Sequence, residues 1–396
     1  MYISPSEILS PTRVQLTALP PLSLYLHIPW CVRKCPYCDF NSHEARGAIP
    51  EREYIDAVIG DLETALPSVW GRMVRTVFFG GGTPSLLSPD SIERLLSAIR
   101  ARVSLDPEAE ITLEANPGTL EAGKFAAFRA AGINRLSIGV QSFNAGHLRA
   151  LGRIHDAQQA VNAIESAQTC FDNINVDLMY ALPDQSLEEA LDDVTRLLGF
   201  APQHISAYHL TIEPNTLFHR YPPPLPDDDT AADMQEAIES LLVSHGYVHY
   251  ETSAFALPEH ESRHNLNYWR FGDYLGIGAG AHSKISFPER VVREMRYKQP
   301  REYLLRAATG TPVQTSTTVD AAELPFEFMM NALRLIDGVE RRVFAERTGL
   351  PIAAIAARLD RAAQTGLLAD NHERLQPTLK GQRFLNDLLE LFLKPG

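Results

Sequence analysis

Short β-rich apolar runs alternate with amphipathic stretches through the first half of the chain. The strand candidates are 22–28, 76–80, 110–115, 135–140, 174–180 and 204–210. The helix candidates, in which apolar residues recur with helical spacing, are 51–66, 89–102, 119–131, 156–168 and 186–198. Strands that alternate with helices predict a parallel α/β sheet built of right-handed βαβ units. The pattern fits either a partial (β/α)6 barrel or an open doubly wound sheet.

The proline-rich stretch 221–229 ends this pattern. After it we predict a helix at 230–245, a β-rich run at 247–256 and a packed loop, rich in glycine and aromatic residues, at 264–282. The last part is predicted as helices at 324–336, 340–348, 351–366 and 379–393, with a short β-hairpin at 367–378. Helices with a two-stranded wing are typical of a winged-helix-like domain. The predicted parts are a loosely ordered lead-in (1–21), a partial barrel (22–220), a barrel-closing segment (221–317) and a helical, winged-helix-like C-terminal domain (318–396).

Composition and charge narrow the possible functions. The chain has 396 residues, with 49 acidic residues and 36 Lys and Arg residues, and a formal net charge of −13. This acidic balance argues against a general nucleic-acid binder, which needs a basic surface to meet a polyanion. No apolar run approaches the roughly 18 residues of a transmembrane segment. The first residues lack the basic and apolar regions of a signal peptide, so we expect a cytoplasmic protein without a transmembrane segment.

Three of the four cysteines are clustered. Cys31, Cys35 and Cys38 have the spacing C-x3-C-x2-C. In a large chain without export signals, such a cluster indicates metal binding or redox chemistry in a reducing compartment. The spacing would also suit a core stripe on a helix, but Pro36 disfavours a helix there. Three thiolates in a loop suit either zinc, with His43 as the nearby fourth ligand, or an iron–sulfur cluster with one open iron.

The cysteine spacing, with the aromatic Tyr37 before the third cysteine, resembles the cluster motif of the radical S-adenosylmethionine superfamily. Its position after the first predicted strand is also similar. The resemblance implies a partial barrel of the radical SAM type. It further implies a [4Fe–4S] cluster held by Cys31, Cys35 and Cys38, whose open iron binds the amine and carboxylate of S-adenosylmethionine.

A glycine-rich turn and several polar residues follow the predicted strands. The turn GGGTP follows the second strand, and its glycines permit close approach of the backbone to a ligand. The polar residues at or near the ends of the next three strands are Glu114, Gln141, Arg153 and Asp177. Because the carboxyl ends of parallel strands meet at one edge, we expect these residues beside the cysteine loop. Cys170 precedes the fifth strand, so we expect it at the opposite edge.

These segments resemble the anaerobic coproporphyrinogen-III oxidase-like branch of the superfamily, from about residue 20 to residue 394. The branch includes oxygen-independent coproporphyrinogen dehydrogenases and the HemW-type heme chaperones. The resemblance assigns contacts with S-adenosylmethionine to Tyr25, Tyr37, Phe40, Gly82, Thr83, Glu114, Gln141, Arg153 and Asp177. Carboxylates can hold the ribose hydroxyls or the amine of this cofactor, and an arginine can pair with its carboxylate.

Two departures from the dehydrogenase pattern favour the HemW-type family. The dehydrogenases have a fourth cysteine two residues after the third, where this chain has Phe40. They also have a longer N-terminal extension that helps to enclose the substrate, whereas about twenty residues precede the first predicted strand here. Both departures weaken the assignment as a coproporphyrinogen dehydrogenase.

The segment HNLNYW resembles the HNxxYW element that is linked to heme binding in HemW-type proteins. By this resemblance His264 is the expected axial ligand of heme iron, and imidazole suits that role. Tyr268 and Trp269 offer aromatic surface to the flat macrocycle. Further candidates are Arg263 and Arg270, which flank the element and would meet the heme propionates, and His282 as a second-choice ligand.

The resemblance implies a heme chaperone that binds a [4Fe–4S] cluster, S-adenosylmethionine and heme. It would pass heme to an acceptor hemoprotein, for example a respiratory one, without a role for nucleic acid. The alternative is a radical enzyme that acts on a tetrapyrrole, such as oxygen-independent coproporphyrinogen III dehydrogenase. Catalysis stays open, no catalytic residue is assigned, and a transient visit to the membrane during delivery also stays open.

Overall fold

The computed structural model describes residues 13–119 and 122–393, and a mixed sheet of 12 strands forms its centre. The strands along the chain are β1 (Leu22–Ile28), β2 (Trp30–Cys31), β3 (His43–Glu44), β4 (Met73–Gly81), β5 (Ser104–Ala115), β6 (Arg135–Gln141), β7 (Ile174–Tyr180), β8 (His204–His209), β9 (Val248–Glu251), β10 (Ala254–Ala256), β11 (Asp273–Ile277), β12 (His282–Phe287), β13 (Arg290–Arg296), β14 (Val313–Thr318), β15 (Val339–Glu340) and β16 (Arg374–Leu375). The order in the central sheet is β14-β13-β12-β11-β1-β4-β5-β6-β7-β8-β10-β9, while β2 pairs with β3 and β15 with β16.

The helices cover the sheet and build the C-terminal part. They are α1 (Glu51–Val69), α2 (Pro89–Arg102), α3 (Ala122–Ala131), α4 (Ala145–Ala150), α5 (Ala157–Gln168), α6 (Leu187–Leu198), α7 (Leu217–Arg220), α8 (Asp228–Ser244), α9 (Arg263–Trp269), α10 (Pro300–Ala307), α11 (Leu324–Ala332), α12 (Arg341–Thr348), α13 (Ala356–Gln364), α14 (Leu379–Arg383) and α15 (Leu385–Glu390). Capping boxes start α5, with Asp156 and Gln159, and α6, with Ser186 and Glu189. No helix in the described ranges combines the length and apolar character needed to cross a bilayer.

The strand order decides between the two predicted architectures. Strands β1, β4, β5, β6, β7 and β8 are neighbours in chain order, and every adjacent pair is parallel. A doubly wound sheet reverses its strand order at a switch point, whereas this order is that of a partial (β/α)6 barrel. On one side, β11 adds a parallel strand next to β1, and β12, β13 and β14 continue antiparallel. On the other side, β10 and β9 extend the sheet antiparallel to β8.

The packed loop predicted at 264–282 is wrong, because this segment contains most of α9, all of β11 and the first residue of β12. A distant residue supports the short helix. The carboxylate of Glu110 accepts hydrogen bonds from the backbone amides of Arg263 and His264, at 3.1 and 2.9 Å. These amides lack partners within the helix, so a buried carboxylate at that end stabilises it.

A buried charged cluster joins β11 to β12 and to the end of α1. Asp273, at the start of β11, is fully buried. Its carboxylate accepts a hydrogen bond from Lys284 Nζ and forms an ion pair with Arg72 Nη2, both at 2.9 Å. It also accepts from the backbone amide and hydroxyl of Ser286, at 2.8 and 2.7 Å. The cluster joins the consecutive strands β11 and β12 to Arg72, which lies far earlier in the chain.

The C-terminal helices α11 to α15 enclose a second core, separate from the barrel core. The hairpin predicted at 367–378 is present as an antiparallel contact, in which Ala369 N donates to Gln376 O at 2.9 Å. Its second arm carries β16, which pairs with β15 and completes a small wing.

The lead-in predicted at 1–21 lies partly outside the described residues, because residues 1–12 are not described. In the described part, Val14 and Leu16 are buried in the C-terminal core. Leu16 N also donates to Pro288 O at 2.8 Å. This part of the lead-in is therefore packed against the protein.

Candidate functional site

The cysteine loop connects β2 to β3, directly beyond the carboxyl end of β1. A backbone hydrogen bond from Ala45 N to Cys31 O, at 2.9 Å, joins the two sides of the loop. The Lys34 ammonium crosses the loop and donates to the carbonyl oxygens of Phe40 and Ser42, at 3.1 and 3.2 Å. These contacts fix the backbone that presents the cysteines.

The three thiols of the loop are free. The Thr83 hydroxyl donates to Cys31 Sγ at 3.6 Å, and Arg153 Nη1 donates to Cys35 Sγ at 3.7 Å. Burial raises the pKa of the Cys31 and Cys38 thiols. These thiols therefore carry protons that are released when a metal binds.

A cavity of about 300 Å³, which we call the cluster cavity, lies between the cysteine loop and the strand ends. The predicted site residues that line it are Cys31, Cys35, Cys38, Tyr37, Phe40, Gly82, Glu114, Gln141, Arg153 and Asp177. Among the described residues, no three Cys, His, Asp or Glu side chains converge as a site for a single ion. Thiols spread around a cavity fit a multi-iron cluster better than one zinc ion. His43, the candidate fourth zinc ligand, does not line the cluster cavity; it lines a second cavity, which Cys38 also borders.

Two predicted contacts with S-adenosylmethionine lie outside this lining. Thr83 is buried, and its hydroxyl accepts a hydrogen bond from Asn116 Nδ2 at 2.8 Å while it donates to Cys31. Tyr25 lines the neighbouring, larger cavity, where its hydroxyl lies 3.1 Å from His27 Nδ1. The structure therefore places Thr83 behind the cysteine loop and Tyr25 deeper in the barrel.

The glycine turn at the end of β4 is hydrogen-bonded to the backbone that leads from β1 into the cysteine loop. Gly82 N donates to Ile28 O and Thr83 N donates to Trp30 O, both at 2.7 Å. A Cβ atom on Gly82 would lie 2.5 Å from Trp30 O, which is closer than real Cβ contacts allow. The position requires glycine because any side chain would push the turn away from the cysteine loop.

Arg153 and Gln141 form the far wall of the cluster cavity. Arg153 Nη2 donates to Gly139 O at 2.6 Å and also to the side-chain oxygen of Asn116. Gln141 ends β6 with a φ of 69°, beside a register shift in the pairing of β6 with β7. A left-handed non-glycine residue persists only where its surroundings hold it, and such strain often marks a functional site.

Two half-buried carboxylates, Glu114 and Asp177, lie in the wall that the two cavities share. Burial, and then the nearby charge of Asp177, raise the pKa of Glu114 to about 8, although Gly81 N donates to its Oε2 at 3.2 Å. Burial also raises the pKa of Asp177, whose Oδ1 accepts from Asn175 Nδ2 at 2.7 Å. Carboxyl groups that resist ionisation can accept a cationic ligand or bind hydroxyl groups.

The larger cavity, of about 1050 Å³, fills the interior of the barrel, and we call it the barrel cavity. It shares Glu114 and Asp177 with the cluster cavity, so the two are contiguous. Helix α9 forms one wall and contributes His264, Tyr268 and Trp269, all three residues predicted to contact heme. The residues of the HNLNYW element that were predicted to contact heme therefore all line the barrel cavity.

The ring of His264 takes part in a buried chain of hydrogen bonds. The Thr76 hydroxyl donates to Ser23 Oγ at 2.8 Å, so its oxygen is left to accept from His264 Nδ1 at 2.7 Å. This assigns the proton to Nδ1, and Nε2 then accepts from the Tyr268 hydroxyl at 3.2 Å. Burial and the charge of Arg135 lower the pKa of His264 to about 3. The imidazole is neutral at pH 7, as a metal ligand must be.

The arginines that flank the HNLNYW element do not line the barrel cavity. Arg263 and Arg270 are both exposed, and Arg263 Nη1 donates to Glu108 O at 2.6 Å. The expected propionate contacts are therefore not available at these two side chains. His282, the second-choice ligand, does line the cavity from β12.

Sequence reasoning found Gln141 on the inner face of β6 but missed Arg135, Ser137 and Gly139 on the same face. Arg135 and Ser137 line the barrel cavity, and Gly139 and Gln141 line the cluster cavity. The apolar residues between them point into the surrounding core. The signal was present as a strict alternation in RLSIGVQ, which places every second residue on the inner face.

Comparisons with known proteins identify both parts of the chain. Residues 25–197 match the Radical SAM superfamily, and residues 319–384 match the HemN C-terminal domain. The solved structure of coproporphyrinogen III oxidase (HemN) from Escherichia coli has a TM-score of 0.80 at 24% identity, covering 98% of this chain and 93% of that chain. The fold and the cysteine loop thus define a radical SAM protein with a HemN-type C-terminal domain.

The curated relatives identify the family within this class. The protein named heme chaperone HemW from Escherichia coli is 50% identical, and the match covers 96% of this chain and 100% of the relative. The protein of the same name from Haemophilus influenzae is 48% identical, and the match covers 95% of this chain and 98% of the relative. The heme chaperone HemW of Bacillus subtilis is 33% identical, covering 94% and 99%. The chain belongs to the HemW family. Its superfamily binds a [4Fe–4S] cluster and S-adenosylmethionine, and the three free thiols around the cluster cavity fit them.

Proposed function

We propose that the protein is a heme chaperone, which binds heme in the barrel cavity and transfers it to an acceptor hemoprotein. The barrel cavity of about 1050 Å³, with His264, Tyr268 and Trp269 in its wall, carries the proposal. A flat, largely apolar macrocycle needs a large concave site with aromatic surface, and an imidazole suits its iron. The relatives named heme chaperone HemW support the same function.

The cluster and S-adenosylmethionine are proposed to bind in the cluster cavity, next to the cargo. When bound, the [4Fe–4S] cluster supplies an open iron for the amine and carboxylate of S-adenosylmethionine. Cys31, Cys35 and Cys38 would hold the other irons, and Arg153 Nη1 donates a hydrogen bond to Cys35 Sγ at 3.7 Å. The shared wall of the two cavities supports regulation of heme binding by S-adenosylmethionine.

Heme binding tests the proposed axial ligand. The variant His264→Ala is expected to weaken heme binding by about tenfold or more and to change the heme absorption spectrum. In Tyr268→Phe, the hydroxyl that occupies His264 Nε2 is removed, so heme should bind at least as tightly as in the parent. Anaerobic titration with heme, followed by absorption and electron paramagnetic resonance, measures both results.

The matched control is His282→Ala, because His282 lines the same cavity. It should retain the affinity and spectrum of the parent. A parent-like His264→Ala would refute the axial assignment.

For the transfer step, heme-loaded protein is mixed with apomyoglobin as a generic acceptor, and the appearance of holomyoglobin is followed. Anaerobic conversion of coproporphyrinogen III to protoporphyrinogen IX would instead support a radical enzyme.

The raised pKa of Glu114 predicts proton release when S-adenosylmethionine binds. Below pH 8 the carboxyl group is mostly protonated, and a cationic ligand beside it favours the carboxylate. The affinity for S-adenosylmethionine should therefore rise between pH 6 and pH 8, by up to about tenfold per unit. Calorimetry in two buffers of different ionisation enthalpy measures the released protons. Glu114→Gln should bind without this release, and an equal release from the variant would contradict the assignment.

We propose that the protein acts in the cytoplasm. One proposed acceptor is a hemoprotein of the respiratory chain, and the protein would associate transiently with the membrane when it delivers heme. All four cysteines are free, and thiols stay reduced in that compartment. Fractionation of cells and crosslinking of the heme-loaded protein would test location and acceptor together.

A further inference from the structure

Arg135, the first residue of β6, is a buried cation for which the described part of the chain offers no counter-ion within 4.0 Å. Only 2% of its surface is exposed. Within residues 13–119 and 122–393, its guanidinium forms no ion pair within 4.0 Å and no hydrogen bond, and its Nε is enclosed without any acceptor. The free energy of burying a charge is strongly unfavourable unless a partner offsets it. An uncompensated buried arginine therefore indicates that a partner arrives from outside the chain.

The side chain of Arg135 faces the barrel cavity, together with Asn175, His204 and His264. The acidic groups nearby already have other partners. Glu110 accepts from the two backbone amides at the start of α9. Asp177 accepts from Asn175, and the charge of Arg135 only moderates the effect of burial on its pKa. The cavity thus offers a cation that no described carboxylate approaches within 4.0 Å.

We propose that Arg135 binds a carboxylate of the ligand in the barrel cavity, which is a heme propionate if the proposed function holds. A guanidinium presents two parallel N–H groups that match a carboxylate, and the pairing is strong in a cavity shielded from water. The arginines that sequence reasoning offered for this role, Arg263 and Arg270, lie outside the cavity.

This anchor also fixes the orientation of the cargo. Arg135 and Gln141 are the first and last residues of β6, and six residues at about 3.3 Å each separate them by roughly 20 Å. Gln141 lies at the cluster cavity, so Arg135 lies at the opposite end of the interior. The propionate that Arg135 holds therefore points away from the cluster.

The test compares heme with its dimethyl ester, in which both carboxylates are blocked. Dissociation constants are measured by absorption titration for the parent, Arg135→Gln and the control Arg270→Gln. The parent and the control should bind the free acid about tenfold or more tightly than the ester. Arg135→Gln should lose this preference and keep the spectrum that depends on His264. Arg135→Lys, which retains the charge without the fork, should keep part of the preference.

The stability of the empty protein provides an independent readout. Because Arg135 is an unpaired buried charge, Arg135→Gln should melt at the same temperature as the parent or higher. A clearly lower melting temperature would assign Arg135 a structural role and overturn the inference. A parent-like preference for the free acid in Arg135→Gln would also overturn it. If the parent protein itself binds neither heme nor its dimethyl ester, the proposed function fails instead.

Discussion

Replacement of Cys35 by serine (Cys35→Ser) is expected to reduce the iron and sulfide content of the anaerobically reconstituted protein to background. The loop offers three thiolates to the cluster, and a serine hydroxyl, which stays protonated at pH 7, cannot replace one of them. The change also removes the sulfur that Arg153 approaches at 3.7 Å. Chemical analysis of iron and sulfide, with the visible absorption spectrum, checks the result.

The matched control is Cys170→Ser, which changes the same atom type elsewhere. Cys170 follows α5 and precedes β7, so it lies at the amino end of the parallel strands, opposite the cysteine loop. Its replacement should leave the cluster content of the parent unchanged. A full cluster in Cys35→Ser, or loss of the cluster in Cys170→Ser, would contradict the assignment of the three ligands.

The variant Asp273→Asn is expected to lower the free energy of unfolding by about 3–5 kcal/mol. The carboxylate of Asp273 is fully buried and binds Lys284 and Arg72 at 2.9 Å each. Lys284 is itself buried, and burial lowers the pKa of its ammonium group. Neutralising Asp273 would leave this ammonium without its counter-ion. Urea unfolding followed by circular dichroism measures the change.

Two further variants separate the charge effect from a general effect of substitution. Asp56 forms an ion pair with Arg94 in which both side chains are about half exposed, so Asp56→Asn should cost less than about 1 kcal/mol. The double variant Asp273→Asn/Lys284→Met removes both charges of the buried pair and should recover part of the lost stability. A loss below about 1 kcal/mol for Asp273→Asn alone would refute the role of the cluster.

The barrel strands were predictable because their environment is uniform along the chain. Strands β1 and β7 have the predicted bounds, and helix α2 does as well. Apolar residues on the outer face of these strands meet the covering helices, which leaves a clear local pattern. Helix α9 was missed because its support is not local: Glu110, 154 residues from His264, caps its first turn. The pairing of β11 with β1 was missed for the same reason.

The residues of the candidate site that belong to a sequence motif or end a strand could be predicted. Those that are recognised only because their side chains line a cavity could not. The cysteine loop and the residues around Glu114 lie together as the strand order requires. Arg135 became a candidate for two reasons. It lies on the face of β6 that points inward, and it forms no ion pair among the described residues. Arg263 and Arg270 are exposed and do not line the cavity. Residue type alone predicts neither the burial of Arg135 nor the exposure of these two arginines.

The pairing of β11 with β1 has a consequence for the order of assembly. Strand β1 has β4 on one side, but its other neighbour begins only at Asp273, four residues after α9 ends. During synthesis, this edge of β1 stays open until β11 has left the ribosome. The strand that leads into the cysteine loop can therefore pair with β11 only after the helix that carries His264 has been made. The wall of the barrel cavity is complete only when about three quarters of the polypeptide exists, because its lining extends to Lys298.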